Sequence, residues 1–149
     1  VIDWSLLDGE DAFRAGRYDR VHRLVFEGGL VVAGSPSPAV VAAPYSQAGA
    51  LDPEAAFTAA LSACHMLWFL DLARQAGFVV AAYRDEAVGT LGRIGPGRQA
   101  MTKVVLSPRI AWGGARAPSA QEIEGLHHRA HELCFIANSV TTEVIVTPA

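Results

Sequence analysis

Hydrophobic residues gather in several short strand-like runs, in one long and almost uninterrupted apolar stretch, and in one later segment where they recur with the helical period. From Tyr18 to Phe26 the run YDRVHRLVF is rich in β-branched and aromatic residues, Gly28-Gly29 supplies a turn, and LVVAG follows. That pattern predicts a hairpin. The next segment, SPSPAVVAAPYSQAGA, contains Pro36, Pro38 and Pro44, so at most a short edge strand is expected around Val40 to Ala43. A long helix then begins where Asp52 offers an N-cap carboxylate, Pro53 suits the first helical position and Glu54 places an acid in the first turn. It is expected to run to about Gln75 and stop at Gly77, roughly 30 Å of helix and comparable with the diameter of a small domain.

Beyond it, FVVAAYRDEAVGTLGRIGPGRQAMTKVVLSPRIAW contains two strand-like runs around the tip GRIGPGR, a pattern that predicts a long hairpin. A second helix opens with a capping box, Ser119 and Glu122. Its apolar positions Ile123, Leu126, Ala130, Leu133 and Cys134 share the helical period, which turns Cys134 toward the core or a partner. TTEVIVTP alternates as a last strand. The order of elements gives an α+β domain, two main helices against antiparallel sheet, with residues 1–149 as one domain.

The first helix is apolar on nearly every side. Between Ala55 and Leu70 only Thr58, Ser62 and His65 interrupt the pattern, and Asp71 and Arg74 end it. The apolar stretch falls short of the roughly 20 residues of a membrane span, so a buried central helix is expected and no membrane partner. Such a helix needs cover on all sides, which a homodimer packing its helices between two sheets would supply. Met66, Trp68, Phe69 and Trp112 are expected in that core or interface.

Composition narrows the function classes. About half of the 149 residues are apolar and 18% are charged, enough for one domain with a real core. A net charge of −3, a pI near 5.9 and scattered arginines leave no footprint for nucleic acid. The N-terminal VIDWSLLDGEDAFRAGR is acidic and carries no basic segment followed by an apolar one, so a cytoplasmic protein is expected. In that reducing setting two cysteines are free thiols, and any disulfide between them is transient or catalytic.

Cys64 and Cys134 are the only cysteines. Too far apart for a CxxC motif, they are either a reactive thiol with its resolving partner or two inert core residues. His65 follows Cys64 but lies about 100° round the helix, so His22 or a histidine of the second helix is the better candidate to reach the thiol. His127, His128, His131 and Cys134 are metal-ligand types within a turn or two, yet no second cluster lies near and histidines suit a helix C-terminus. No metal or other cofactor is therefore expected. Gly28-Gly29 and Gly95-Pro96-Gly97 are turn residues without the lysine and helix of a phosphate loop.

Two motifs carry a family resemblance. DPEAAFTAALSAC is similar to the acid-bearing cysteine helix of the OsmC/Ohr family, the osmotically inducible and organic hydroperoxide resistance proteins, and AHELCFIANS is similar to that family's second cysteine segment. CHMLWFL and CFIANSV resemble the OsmC-like branch in particular. The resemblance implies an OsmC-like fold in an intertwined homodimer and a thiol-dependent peroxidase that reduces organic hydroperoxides. Cys64 would be the peroxidatic thiol, Cys134 the resolving thiol and Glu54 the family's glutamate. A small thiol or a lipoyl protein would be the reductant, and substrate would enter an apolar pocket at the subunit interface.

Glu54 precedes Cys64 by ten positions, about 15 Å on a continuous helix, so its influence on the thiol needs a chain reversal or a bridging residue. In the family that bridge is an arginine. Here the corresponding segments, FEGG and AAPYSQAGA, contain none, and Arg20 and Arg23 are the neighbouring candidates. The departure keeps a second reading open: a non-catalytic OsmC-like module that binds an apolar small molecule at the dimer interface.

Overall fold

The computed structural model describes residues 1–148, and the chain divides into two compact units, Val1–Ala56 and the part that begins at Phe57. In the first, strands β1 (Ile2–Asp3), β2 (His22–Val25) and β3 (Val31–Gly34) form an antiparallel sheet in that order, with a short helix α1 (Glu10–Arg14) between the first two. The hairpin of β2 and β3 turns where the sequence predicts. Gly28 and Gly29 both take positive φ, 85° and 89°, which glycine adopts without a Cβ penalty. β1 and α1 were not foreseen, being too short to show a period.

Val40 to Ala43 is not a strand. The amides of Val40 and Val41 both donate to the Ser37 carbonyl at 2.9 Å, closing a turn in place of a ladder. The prolines on either side leave the segment little else to pair with. Sheet-like pairing resumes at Leu51, which bridges to Gly34 in parallel register and accepts from the Ser35 amide at 3.1 Å.

Helix α2 (Pro53–Gln75) begins at the end of the first unit and continues as the long helix of the second. Asp52 caps it, its Oδ1 accepting from the Ala55 amide at 2.7 Å. At the other end Gly77 sits at φ 79° while Phe78 N–H reaches back to the Ala73 carbonyl at 2.9 Å, a glycine-terminated Schellman turn.

In the second unit β4 (Val79–Asp85) pairs with β7 (Pro108–Gly113), while β5 (Val88–Gly95), β6 (Arg98–Leu106) and β8 (Glu143–Val146) form a separate sheet in the order β5-β6-β8. The Gly95-Pro96-Gly97 tip is as expected, but each of the two long runs breaks into two strands. The breaks fall at Glu86-Ala87 and at Ser107. Asp85 fixes them: one carboxylate oxygen accepts from the Ser107 amide at 2.6 Å and the other from the Ser62 hydroxyl of α2 at 2.5 Å. One pairing departs from the antiparallel expectation. β8 runs parallel to β6, because helix α3 (Ala120–Leu133) lies in the connection between them.

The capping box at Ser119 and Glu122 is formed on both sides. After α3 the chain makes one short 3₁₀ turn, Ala137–Ser139. The buried stripe of α2 is Leu61, His65, Phe69 and Ala73, four residues apart and hence one above another on a helix face. Phe69 and Ala73 pack with Phe78 and with Ala130 of α3; Leu61 packs with Val104 and Leu106 of β6. Where β5 passes α2, a Cβ on Gly89 would collide with Thr58 and Met101, so this close approach requires glycine.

The expectation of a helix buried all round does not hold in the single chain, since Leu67 is 63% exposed. Nor is α2 short for a span. Its 23 residues are long and apolar enough, by length and composition alone, to cross a membrane, a test that core helices of globular domains also pass. Here its stripe is committed to the sheets and α3 of the second unit.

Phe69→Ala is expected to lower the unfolding free energy by about 3–5 kcal/mol, because its fully buried ring has no replacement. Ser119→Ala is expected to lower it by about 1 kcal/mol through loss of the cap. Urea titration of both variants measures the two values, and equal losses would contradict this ranking of core over cap.

Candidate functional site

Cys64 lies mid-way along α2 and Cys134 is the residue at which α3 ends. The fold brings them together. Both are free thiols, Cys64 half-buried and Cys134 only 1% exposed, and the two lie close enough for the Cys64 thiol to act on Cys134. Cys134 is pushed up to about 11, first by burial and then by the neighbouring Cys64 thiol. The amides of Ala137 and Ile136 act the other way by donating to its sulfur, the Ala137 N–H···Sγ distance being 3.4 Å. The chain turns sharply here because Asn138 N–H bonds to the Cys134 carbonyl at 3.0 Å, which folds the 3₁₀ turn back over the sulfur.

The two helices meet through rings. His65 Nε2 lies 3.0 Å from His127 Nδ1, with the imidazoles within 3° of parallel. His127 in turn stacks on Phe69 at 4.3 Å between centroids. Trp68, one turn beyond Cys64, meets Phe135, the neighbour of Cys134, edge to face at 5.5 Å. Each cysteine is thus flanked by a residue that ties its helix to the other.

Both histidines are buried, and both are held down to about 4. For His65 burial is the largest cause, followed by repulsion from His131, with Asp85 opposing. For His127 burial again leads and His65 adds to it. The pair is therefore neutral near pH 7, one ring donating and the other accepting. Whichever nitrogen holds the proton, His65 Nδ1 and His127 Nε2 have no hydrogen-bond partner among the described residues. Tyr83 Oη is likewise buried without one, and burial raises its pKa.

Among the described residues no group of three or more ligand-type side chains is placed to hold a metal. His127 turns inward to His65, whereas His128 points outward to Glu132 at 3.3 Å. The four ligand types of the second helix are thereby dispersed. An open depression of about 900 Å³ is lined by Ile123, His127, His131, Val144 and Val146 among others, but neither cysteine belongs to its wall.

Glu54 occupies the first turn of α2, ahead of Cys64 on the same unbroken helix, so no chain reversal folds it back along that helix. In the first unit Arg23 pairs with Asp3 at 3.8 Å. Arg20 lies over the Tyr18 ring at 3.9 Å and donates to the Tyr18 carbonyl. His22 Nδ1 is 2.9 Å from the Arg20 carbonyl. A histidine was expected to reach the Cys64 thiol from the second helix; the one that reaches α2 is His127, and what it meets is the ring of His65. Sequence reasoning missed that bond and the Asp85 link. The available signal was a polar residue at four-residue spacing between Leu61 and Phe69, inside the stripe that must be buried.

An α+β fold that brings together a cysteine from each of two helices defines a class: a domain with a vicinal, fold-assembled dithiol. The chain belongs to the OsmC-like protein family, whose model matches residues 46–148. It is similar over its whole length to an OsmC-like protein of unknown function from Vibrio cholerae, at 46% identity, 96% coverage of that chain and a TM-score of 0.95. An organic hydroperoxide resistance protein OsmC from Legionella pneumophila shares the fold at 18% identity and a TM-score of 0.71, covering 100% of this chain and 95% of that one. An organic hydroperoxide resistance protein from Elizabethkingia anophelis does so at 19% identity and 0.71, with the same coverages. A search of curated proteins found no match.

The histidine pair generates a pH prediction. Unfolded histidine titrates near 6.5 and these two near 4, so below pH 6.5 the unfolded chain takes up protons that the folded one refuses. The neutral pair's full stability is present above 6.5 and declines as pH falls to about 4. The double variant His65→Asn/His127→Asn is expected to be less stable at pH 7.5 but to lose distinctly less between pH 7.5 and 4.5. Urea unfolding at the two pH values measures this, and an unchanged pH difference would contradict the neutral buried pair.

Proposed function

We propose that this protein is a thiol-dependent peroxidase that reduces organic hydroperoxides. The observation that carries the reading is the proximity of the Cys64 and Cys134 thiols, close enough for one to act on the other. A hydroperoxide reaching the half-buried Cys64 transfers its terminal oxygen to the thiolate, giving a sulfenic acid and releasing the alcohol. Cys134, already close to that sulfur, attacks it; the S–O bond breaks, water leaves and the Cys64–Cys134 disulfide forms. Two external thiols then restore the dithiol. Family membership and the names of the Legionella and Elizabethkingia structures favour the same chemistry.

In this reading Glu54 acts on Cys64 only through an intervening group, since about 15 Å of helix separates them. The exposed apolar side chains Leu67 and Phe135 favour a homodimer that covers them near the thiols. The rival reading, a non-catalytic module, has a use for an apolar pocket but none for two neighbouring thiols.

One equivalent of cumene hydroperoxide is expected to remove both free thiols and to yield an intramolecular Cys64–Cys134 disulfide on non-reducing peptide mapping. Cys64→Ser should lose turnover, and Cys134→Ser should stop at a sulfenic acid that a dimedone probe captures. Survival of both thiols, or wild-type turnover by Cys64→Ser, would reject the peroxidase and leave the binding module.

A further inference from the structure

The two sulfurs differ in what surrounds them, and the difference bears on how the disulfide is reopened. Cys134 is 1% exposed, under the turn that follows α3, whereas Cys64 is half-buried and reachable. Amides of Ile136 and Ala137 point at the Cys134 sulfur. Such donors stabilise negative charge on the atom they face, as a capping turn does for an oxygen.

We propose that regeneration is one-sided: an incoming thiolate attacks the Cys64 sulfur, and Cys134 departs as the thiolate, received by the Ile136 and Ala137 amides. The step rests on the dithiol reading given above. The incoming R–S⁻ forms a bond to Cys64 Sγ, the Cys64–Cys134 bond breaks, and its electron pair leaves on Cys134 Sγ. A second thiolate attacks the R sulfur of the mixed disulfide, forming R–S–S–R and releasing Cys64 as thiolate. Two electrons pass to the protein, and the two protons lost by the external thiols end on the two cysteines. The reductant is thus any thiol able to reach Cys64, and it never touches Cys134.

Access selects the sulfur that is attacked. Burial alone would make Cys134 a poor leaving group, because a thiolate in apolar surroundings is disfavoured. The two amides oppose that penalty at the one sulfur that must carry the charge. Ala137 and Ile136 are therefore positioning residues that act through their backbone, which explains why their side-chain types reveal nothing.

Microscopic reversibility supplies the test, since oxidation of the dithiol by a small disulfide retraces the same path. Reduced wild type, Cys64→Ser and Cys134→Ser are mixed with 5,5′-dithiobis(2-nitrobenzoate), and release of thionitrobenzoate is followed by stopped flow. Cys134→Ser should react about tenfold faster than Cys64→Ser or more, and stop after one release. Wild type should show a first release at the rate of Cys134→Ser and then a second as Cys134 attacks the Cys64 mixed disulfide. Equal rates in the two variants, a faster Cys64→Ser, a wild-type first phase matching Cys64→Ser, or two inert variants would each overturn the proposal. No peroxide is used, so a protein that fails with cumene hydroperoxide can still pass here, and the two failures are distinguishable.

Discussion

One buried hydrogen bond, His65 to His127, sets the geometry on which the dithiol depends. It joins α2 and α3 at 3.0 Å, one residue from Cys64 and two turns before Cys134. A hydrogen bond inside an apolar surround is strong because water does not compete, and it is directional, so it fixes register as well as distance. The flanking contacts, Phe69 on His127 and Trp68 on Phe135, add area without comparable directionality. Two leucines in place of the histidines would bury comparable surface without that directional link.

That arrangement has an internal cost. Each ring keeps one nitrogen without a partner among the described residues, and an unsatisfied buried polar atom costs about 1–3 kcal/mol. Packing residues alone would avoid it, so the pair is better understood as serving position than stability. The same low-polarity surround raises Cys134 and thereby favours its neutral thiol near pH 7. Burial, the turn amides and the neighbouring thiol thus give the two cysteines different surroundings although their chemistry is identical.

Much of this was legible in the sequence where a signal is local. The caps at Asp52 and Ser119, the stop at Gly77 and the tips at Gly28-Gly29 and Gly95-Pro96-Gly97 depend on residues within a few positions of each other. What was not legible depends on partners far away in sequence. Strand character shows at both ends of the long runs, but the break at Ser107 is made by Asp85, 22 positions earlier, and the parallel β6–β8 pairing by a helix between them. Val40 to Ala43 has the residues of a strand and forms a turn because Ser37 takes its amides. The two cysteines could be paired through family resemblance, whereas the histidine bond, spanning 62 positions, left only a misplaced polar residue as its trace.

The most direct measurement is the thiol–disulfide equilibrium of Cys64 and Cys134 in glutathione redox buffers, for wild type and for His127→Phe, with folding of both checked by circular dichroism. Phenylalanine keeps the ring stack on Phe69 and removes the bond to His65. If that bond holds the sulfurs in place, the equilibrium constant for the intramolecular disulfide falls about tenfold or more in the variant, a shift of about 30 mV. A folded variant with an unchanged constant would contradict the central role given to the histidine pair.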